Sequence, residues 1–163
     1  MNRKHNIEEY LEIIEKLKKK RPSIKFSSDF IIGYPGESES DFNRTLSLMQ
    51  SIEFINSYSF IFSPRPGTPA SNLNTVNSEI SKKRLKVFQE TSDEVKRNHR
   101  KKLLNKKIEV LFENKLKKYP KYFGRNTYGD SVIVESNTDL TGKNISVKIN
   151  NFNQNTLFGE IAA

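Results

Sequence analysis

The spacing of apolar positions changes character near residue 104. Before it, apolar residues recur at helical steps or gather in short runs; after it, they alternate with polar ones. In the segment 6–20, Ile7, Tyr10, Leu11, Ile14 and Leu17 form one stripe of an amphipathic helix. Asn6 stands at the cap position. Glu8 and Glu9 open the helix and Lys18, Lys19 and Lys20 close it, each sign matching the helix dipole. Pro22 stops it. Phe30-Ile31-Ile32 reads as a buried strand, followed by a Gly-Tyr-Pro-Gly turn. Ser38 with Asp41 predicts the start of a second helix, whose apolar face carries Phe42, Leu46 and Met49. "INSYSFIFSP" is a second strand, rich in aromatic and β-branched residues. A long helix is predicted over 78–104, capped by Ser78, with Leu85, Phe88, Val95 and Leu103 on one side.

Helix, strand, helix, strand is the order of parallel βα units. Two such units do not make a stable sheet, so residues 1–77 read as the end of a larger α/β domain. Beyond 104, "KIEVLFEN" alternates through Ile108, Val110 and Phe112. "SVIVES", "NISVKIN" and "TLFGEIA" follow, divided by Gly129, Gly142 and Asn/Asp clusters. Four or five short strands in so little chain predict a small antiparallel β-barrel of the OB-like kind. The expected domains are an α/β part with its long linking helix, 1–103, and a barrel, 104–163.

Charge adds a partner to this picture. Lys and Arg outnumber Asp and Glu by 28 to 19, and the net charge of +9 suits an anionic partner, most simply nucleic acid; a merely solubilising lysine-rich surface is the other reading. No apolar run reaches bilayer length and the N-terminus lacks a signal-peptide core, so a cytoplasmic chain without a membrane partner is expected. There is no cysteine, which excludes disulfides, thiol catalysis and cysteine-held metals within these residues. His5 and His99 stand far apart, and no metal site is expected.

Candidate chemistry sits at the two strand ends. In parallel α/β folds ligands bind where the loops after the strands converge. Gly33 and Gly36 allow close approach to the backbone, and Glu37 ends that turn. Asp29, after Ser28, can meet a ribose or an amine, or a neighbouring backbone group. In "SFIFSPRPGTPAS", Pro64 and Pro66 end the strand and stiffen the chain around Arg65, and Pro66-Gly67 suits a type II turn. Further on, "KLKKYPKYFGRNTYGD" interleaves Lys115, Lys117, Lys118, Lys121 and Arg125 with Tyr119, Tyr122, Phe123 and Tyr128. Cations neutralise phosphates and aromatic faces stack bases, so this stretch is an RNA-binding candidate. The alternative is that Tyr122 and Phe123 plug the barrel. These features alone support an α/β segment with a basic barrel, and no reaction.

"SSDFIIGYPGESESDF" together with "FSPRPGTPAS" resembles the radical S-adenosylmethionine methylthiotransferases, most of all the MiaB-type tRNA enzymes. The resemblance covers essentially the whole chain. It implies that 1–103 is the C-terminal part of a partial TIM-type barrel and that 104–163 is a TRAM barrel. It implies an enzyme that methylthiolates N6-isopentenyladenosine beside the tRNA anticodon, at position 37, with S-adenosylmethionine and two four-iron four-sulfur clusters. Ser28, Asp29, Ile31, Gly33, Gly36, Glu37, Pro64 and Arg65 would then belong to the S-adenosylmethionine site, while Arg3 matches a family arginine without an assigned contact. The partners would be the tRNA anticodon stem-loop and the N-terminal part of the same enzyme, where the family's cluster cysteines lie. This segment alone would be inactive. Alternatives are a stand-alone RNA-binding TRAM module, or part of a ribosomal-protein or threonylcarbamoyladenosine methylthiotransferase.

Overall fold

Reciprocal caps start the first two helices. In α1 (Ile7–Lys20) the Asn6 side chain accepts the Glu9 N–H and the Glu9 carboxylate accepts the Asn6 N–H; in α2 (Glu39–Ile52) Ser38 and Asp41 do the same. The computed structural model describes residues 3–117 and 120–162 and divides into two units, 1–96 and 97–163.

In the first unit β1 (Phe26–Ile32) and β2 (Phe54–Ile61) pair in parallel, with Asp29 opposite Tyr58 and Ile31 opposite Phe60. One face of this pair carries the core: Ile14, Ile32, Phe42, Met49, Ile52, Phe54 and Phe88, with the Phe30 ring 5.4 Å from Phe54 and 4.7 Å from Phe88. The other face is open. Ile31 is 40% exposed, so the run Phe30-Ile31-Ile32 is buried on one side only, in contrast to the buried strand expected. A short 3-10 turn, Pro69–Asn72, leads toward α3 (Ser78–Lys101). The cap of α3 is Asn77, whose Oδ1 accepts the Glu79 N–H at 2.8 Å, and Ser78 is the first helical residue. An Asn one place earlier satisfies the same free amides.

The second unit closes into a barrel in the order β3-β4-β5-β7-β6, with β3 also paired to β6. Its strands are β3 (Lys107–Lys115), β4 (Lys121–Asn126), β5 (Ser131–Glu135), β6 (Asn144–Phe152) and β7 (Thr156–Ile161). The interior is filled by inward residues of every strand, among them Val110, Phe112, Tyr122, Val132, Val147 and Leu157. Two departures from expectation stand out. The barrel is not wholly antiparallel: β7 lies between β5 and β6 and runs parallel to β5, because β6 crosses to β3 before the chain returns. Strand β4 falls within the stretch expected to bind RNA; its mixed basic and aromatic residues are a two-sided alternation, Lys121, Phe123 and Arg125 outward and Tyr122, Gly124 and Asn126 inward. At Gly124 a Cβ would lie 2.5 Å from the Leu111 carbonyl oxygen, so the strand crossing there needs glycine.

Candidate functional site

The loops after β1 and β2 meet. The Phe62 N–H donates to the Ile32 carbonyl at 2.8 Å, extending the strand pairing past its end, and the Tyr34 and Phe62 rings pack edge to face at 5.1 Å. Tyr34-Pro35-Gly36-Glu37 is a tight turn with Gly36 at φ +85° and the Glu37 N–H on the Tyr34 carbonyl at 2.9 Å. In the second loop the Thr68 N–H and hydroxyl both donate to the Arg65 carbonyl, at 3.2 and 2.8 Å, with Gly67 at φ +80°. This is the turn expected from Pro66-Gly67. Proline at the second position and two bonds across the turn hold the Arg65 backbone.

Between the loops lies a cavity of about 930 Å³, lined by Arg3, Ile31, Tyr34, Phe60, Phe62 and Arg65 among others. Of the residues singled out in the sequence, Arg3, Ile31 and Arg65 line it. Asp29 shares the open face with Ile31, while Ser28 falls on the Phe30 side of the strand. Pro64 is exposed on the loop. Gly33, Gly36 and Glu37 shape the turn and do not line the cavity.

Glu37 is committed elsewhere. Its Oε2 accepts the Gly33 N–H at 3.1 Å, and its Oε1 and backbone carbonyl take Arg84 Nη1 of α3 at 2.9 and 3.0 Å. Arg84 Nη2 reaches Glu39 Oε2 at 2.9 Å. Burial by itself would lower the Arg84 pKa; the hydrogen bonds and charges of Glu39 and Glu37 outweigh it and raise the pKa above its ordinary value. In the sequence Arg84 reads as one cation of a basic helix, and nothing local signals this contact, which joins residues 47 positions apart.

In the second unit, residues 97–163 hold thirteen Lys and Arg against six Asp and Glu, while 1–96 hold fifteen against thirteen. The basic excess is therefore concentrated here. Lys115 and Lys117 are exposed around the end of β3, and Lys118 and Tyr119 lie outside the described residues. Lys121 pairs with Glu135 at 3.3 Å and Arg125 with Glu113 at 3.2 Å, with the Arg125 guanidinium 5.3 Å from the Phe123 ring centre. Phe123 is half-buried on the outer surface. Tyr122 is buried in the barrel core and presents no free ring face, so at this position the plug holds.

Tyr128 packs edge to face on His99, 5.4 Å between centres. The last turn of α3 enters this unit through a buried network that sequence reading did not find. His99 Nε2 lies 3.2 Å from Asp130 Oδ2, Arg100 Nε donates to Asp130 Oδ1 at 3.3 Å, and Asn126 Nδ2 to Asp130 Oδ2 at 3.0 Å. Burial raises the Asp130 pKa, but the bonds from His99 and Asn126 and the charges of His99 and Arg100 prevail and lower it below the usual value. The two units divide at 96/97, with His99 and Arg100 in the second, ahead of the boundary expected at 103/104. Among the described residues no three His, Cys, Asp or Glu gather to hold a metal, and no helix is long and apolar enough to cross a membrane.

A parallel strand pair with a cavity at its carboxyl ends, joined to a closed five-stranded barrel, defines a mixed α/β protein. No model of a known protein family matches the chain. It is 54% identical over 163 residues to the tRNA-2-methylthio-N(6)-dimethylallyladenosine synthase of Pelagibacter ubique, covering 99% of this chain and 36% of that protein. The same-named proteins of Wolbachia pipientis subsp. Culex pipiens and Orientia tsutsugamushi (strain Ikeda) are 41% and 40% identical, over 98% and 100% of this chain and 37% of theirs. Over nearly its whole length the chain is similar to the C-terminal part of these tRNA methylthiotransferases. It spans little more than a third of the length of the curated relatives it matches.

Proposed function

We propose that this chain forms the C-terminal part of an enzyme that methylthiolates N6-dimethylallyladenosine at position 37 of tRNA. The observation that carries this reading is the 54% identity across nearly the whole chain, the α/β unit and the barrel alike. In this reading β1 and β2 are two strands of a larger partial barrel. Preceding strands of the same enzyme pair along the free sheet edge, and the open face with Ile31, Tyr58 and Phe60 turns to the barrel interior.

The cavity fits part of an S-adenosylmethionine site. Ile31, Tyr34, Phe60 and Phe62 offer apolar and aromatic contacts to an adenosyl group, and Arg65 offers a cation at the margin for a carboxylate or phosphate. Asp29 adds a carboxylate on the same strand face. Gly33, Gly36 and Glu37 set the turn. Bound there, S-adenosylmethionine would supply the methyl group and the reactive radical. The residues of this chain do not fit the iron–sulfur clusters: the chain has no cysteine.

The barrel unit is the tRNA-binding part, a TRAM module. Lys115, Lys117, Lys121 and Arg125 meet phosphates of the anticodon stem-loop, and Phe123 on the outer surface stacks against an unpaired base. Concentration of the positive charge in this unit supports the assignment.

A chimaera of this chain with the N-terminal two-thirds of the Pelagibacter relative, expressed in cells lacking the native enzyme, tests the reading. Digested tRNA is expected to contain 2-methylthio-N6-dimethylallyladenosine by mass spectrometry. A chimaera that binds its full iron complement yet leaves the nucleoside unmodified overturns it.

A further inference from the structure

We propose that Arg84 is a positioning residue, holding the Gly33–Glu37 turn in the shape that the cavity requires; the inference rests on the reading of that cavity as a cofactor site. Arg84 sits on α3, behind the turn and outside the cavity lining. Its side chain is 9% exposed. One guanidinium nitrogen holds both the backbone carbonyl and the carboxylate of Glu37, at 3.0 and 2.9 Å, and the other holds Glu39 at 2.9 Å. The remaining Glu37 oxygen accepts the Gly33 amide at 3.1 Å. A chain of bonds therefore runs from α3 through Glu37 to Gly33, closing the turn from behind. The Phe42 ring lies 5.5 Å from the guanidinium carbon and packs against the assembly.

A second contact from the same helix face shapes the same turn. Gly33 has φ +72°, and a Cβ there would lie 2.4 Å from Ser81 Oγ, one helical turn before Arg84. The turn thus passes so close to α3 at Gly33 that a side chain would collide with Ser81, and it is gripped by α3 at Glu37. Tyr34 lies between these two points, and Tyr34 lines the cavity and packs on Phe62.

A buried ion pair is a poor general stabiliser, since well-packed apolar residues often serve as well. What a planar guanidinium offers, and a methionine or leucine does not, is a fixed array of donors matched to several oxygens. Arg84 accepts a cost for this: its Nε is buried with no partner. That arrangement is the mark of orientation rather than of stability.

Two readouts test the proposal. Amide exchange by NMR on the full 163-residue chain reads the clamp itself. In Arg84→Gln, and in the near-isosteric Glu37→Gln, the Gly33 amide is expected to exchange at least about ten-fold faster, with barrel amides unchanged. Affinity for S-adenosylmethionine in the reconstituted chimaera reads the positioning. Kd is expected to rise about ten-fold in Arg84→Gln with iron content unchanged, and Arg84→Lys is expected to recover part of the loss. Unchanged Gly33 exchange overturns the clamp. Faster exchange with Kd within about two-fold of the parent overturns the positioning role and leaves Arg84 structural. If Arg84→Gln unfolds the unit, Glu37→Gln carries both measurements. A parent chimaera that binds no S-adenosylmethionine counts against the cofactor reading alone, and Gly33 exchange still decides the clamp.

Discussion

The two units manage the same problem, backbone and apolar surface that must be covered, in opposite ways. Each barrel strand is paired on both sides, because β3 closes on β6, and its inward residues fill one interior. The α/β unit has two strands, two open sheet edges and one open face, on which Tyr58 is 69% and Phe60 57% exposed. Charge divides the same way: near balance in residues 1–96, a strong basic excess in 97–163. A closed barrel is complete in its own strands and leaves no sheet edge to pair. An open strand pair keeps free edges for other strands.

The sharpest way to break this contrast is to empty the barrel core. Phe112→Ala removes a fully buried ring and is expected to cost about 3–5 kcal/mol. Urea unfolding followed by barrel amide signals measures it. Ile31→Ala, on the open face, is expected to cost well under about 1 kcal/mol, since little burial is removed. Equal costs from the two would erase the distinction.

A smaller effect belongs to the Asp130 network. Asp130→Asn leaves Arg100 and His99 without their carboxylate and is expected to destabilise the barrel unit by about 2–4 kcal/mol. The pH dependence has a definite sign. The folded Asp130 pKa is lowered, so its contribution is present above the unfolded value, about 3.9, and is lost as pH falls through the folded value. The acid limb of the parent's stability profile is expected to flatten in Asp130→Asn.

Phe60→Ser is expected to leave unfolding within about 0.5 kcal/mol of the parent, because that side chain buries little on this chain. Self-association by light scattering is expected to fall, as the open apolar face is interrupted. The finest test concerns the basic surface. Replacing Lys115, Lys117 and Lys121 together by alanine is expected to weaken tRNA binding. The slope of log affinity against log salt is expected to fall by about one for each phosphate that is no longer neutralised. An unchanged slope overturns the proposed role of these lysines in RNA binding.

Much of the fold was legible because local rules and tertiary needs agree. The caps at Asn6 and Ser38, the helices α1 and α3 and the turn at Pro66-Gly67 formed where their residues stand. Of the α1 stripe, however, only Ile14 is fully buried, and Ile7 and Leu17 stay exposed. Strand β4 was not legible: lysine, phenylalanine and arginine among tyrosines read as an RNA-binding stretch, and only the barrel interior shows why Tyr122 and Gly124 alternate with them. The candidate site was half legible. Ile31 and Arg65 line the cavity, but Glu37, chosen with them, turns back to Gly33 and Arg84.

By itself the sequence determined the helices, the barrel's alternating strands, the two loops with their rigid turns, the lack of thiol ligands and the kinship with the methylthiotransferases. These depend on neighbours within a few residues or on a recognisable string. The tertiary structure alone decided the parallel β5–β7 pair, the open face of β1 and β2, the burial of Tyr122, and the partners of Arg84 and Asp130. Those contacts join residues thirty or more positions apart, or depend on which strand lies beside which. A charged side chain reads the same in sequence whether it ends in water, on a phosphate or against a buried carboxylate; only the packing around it chooses.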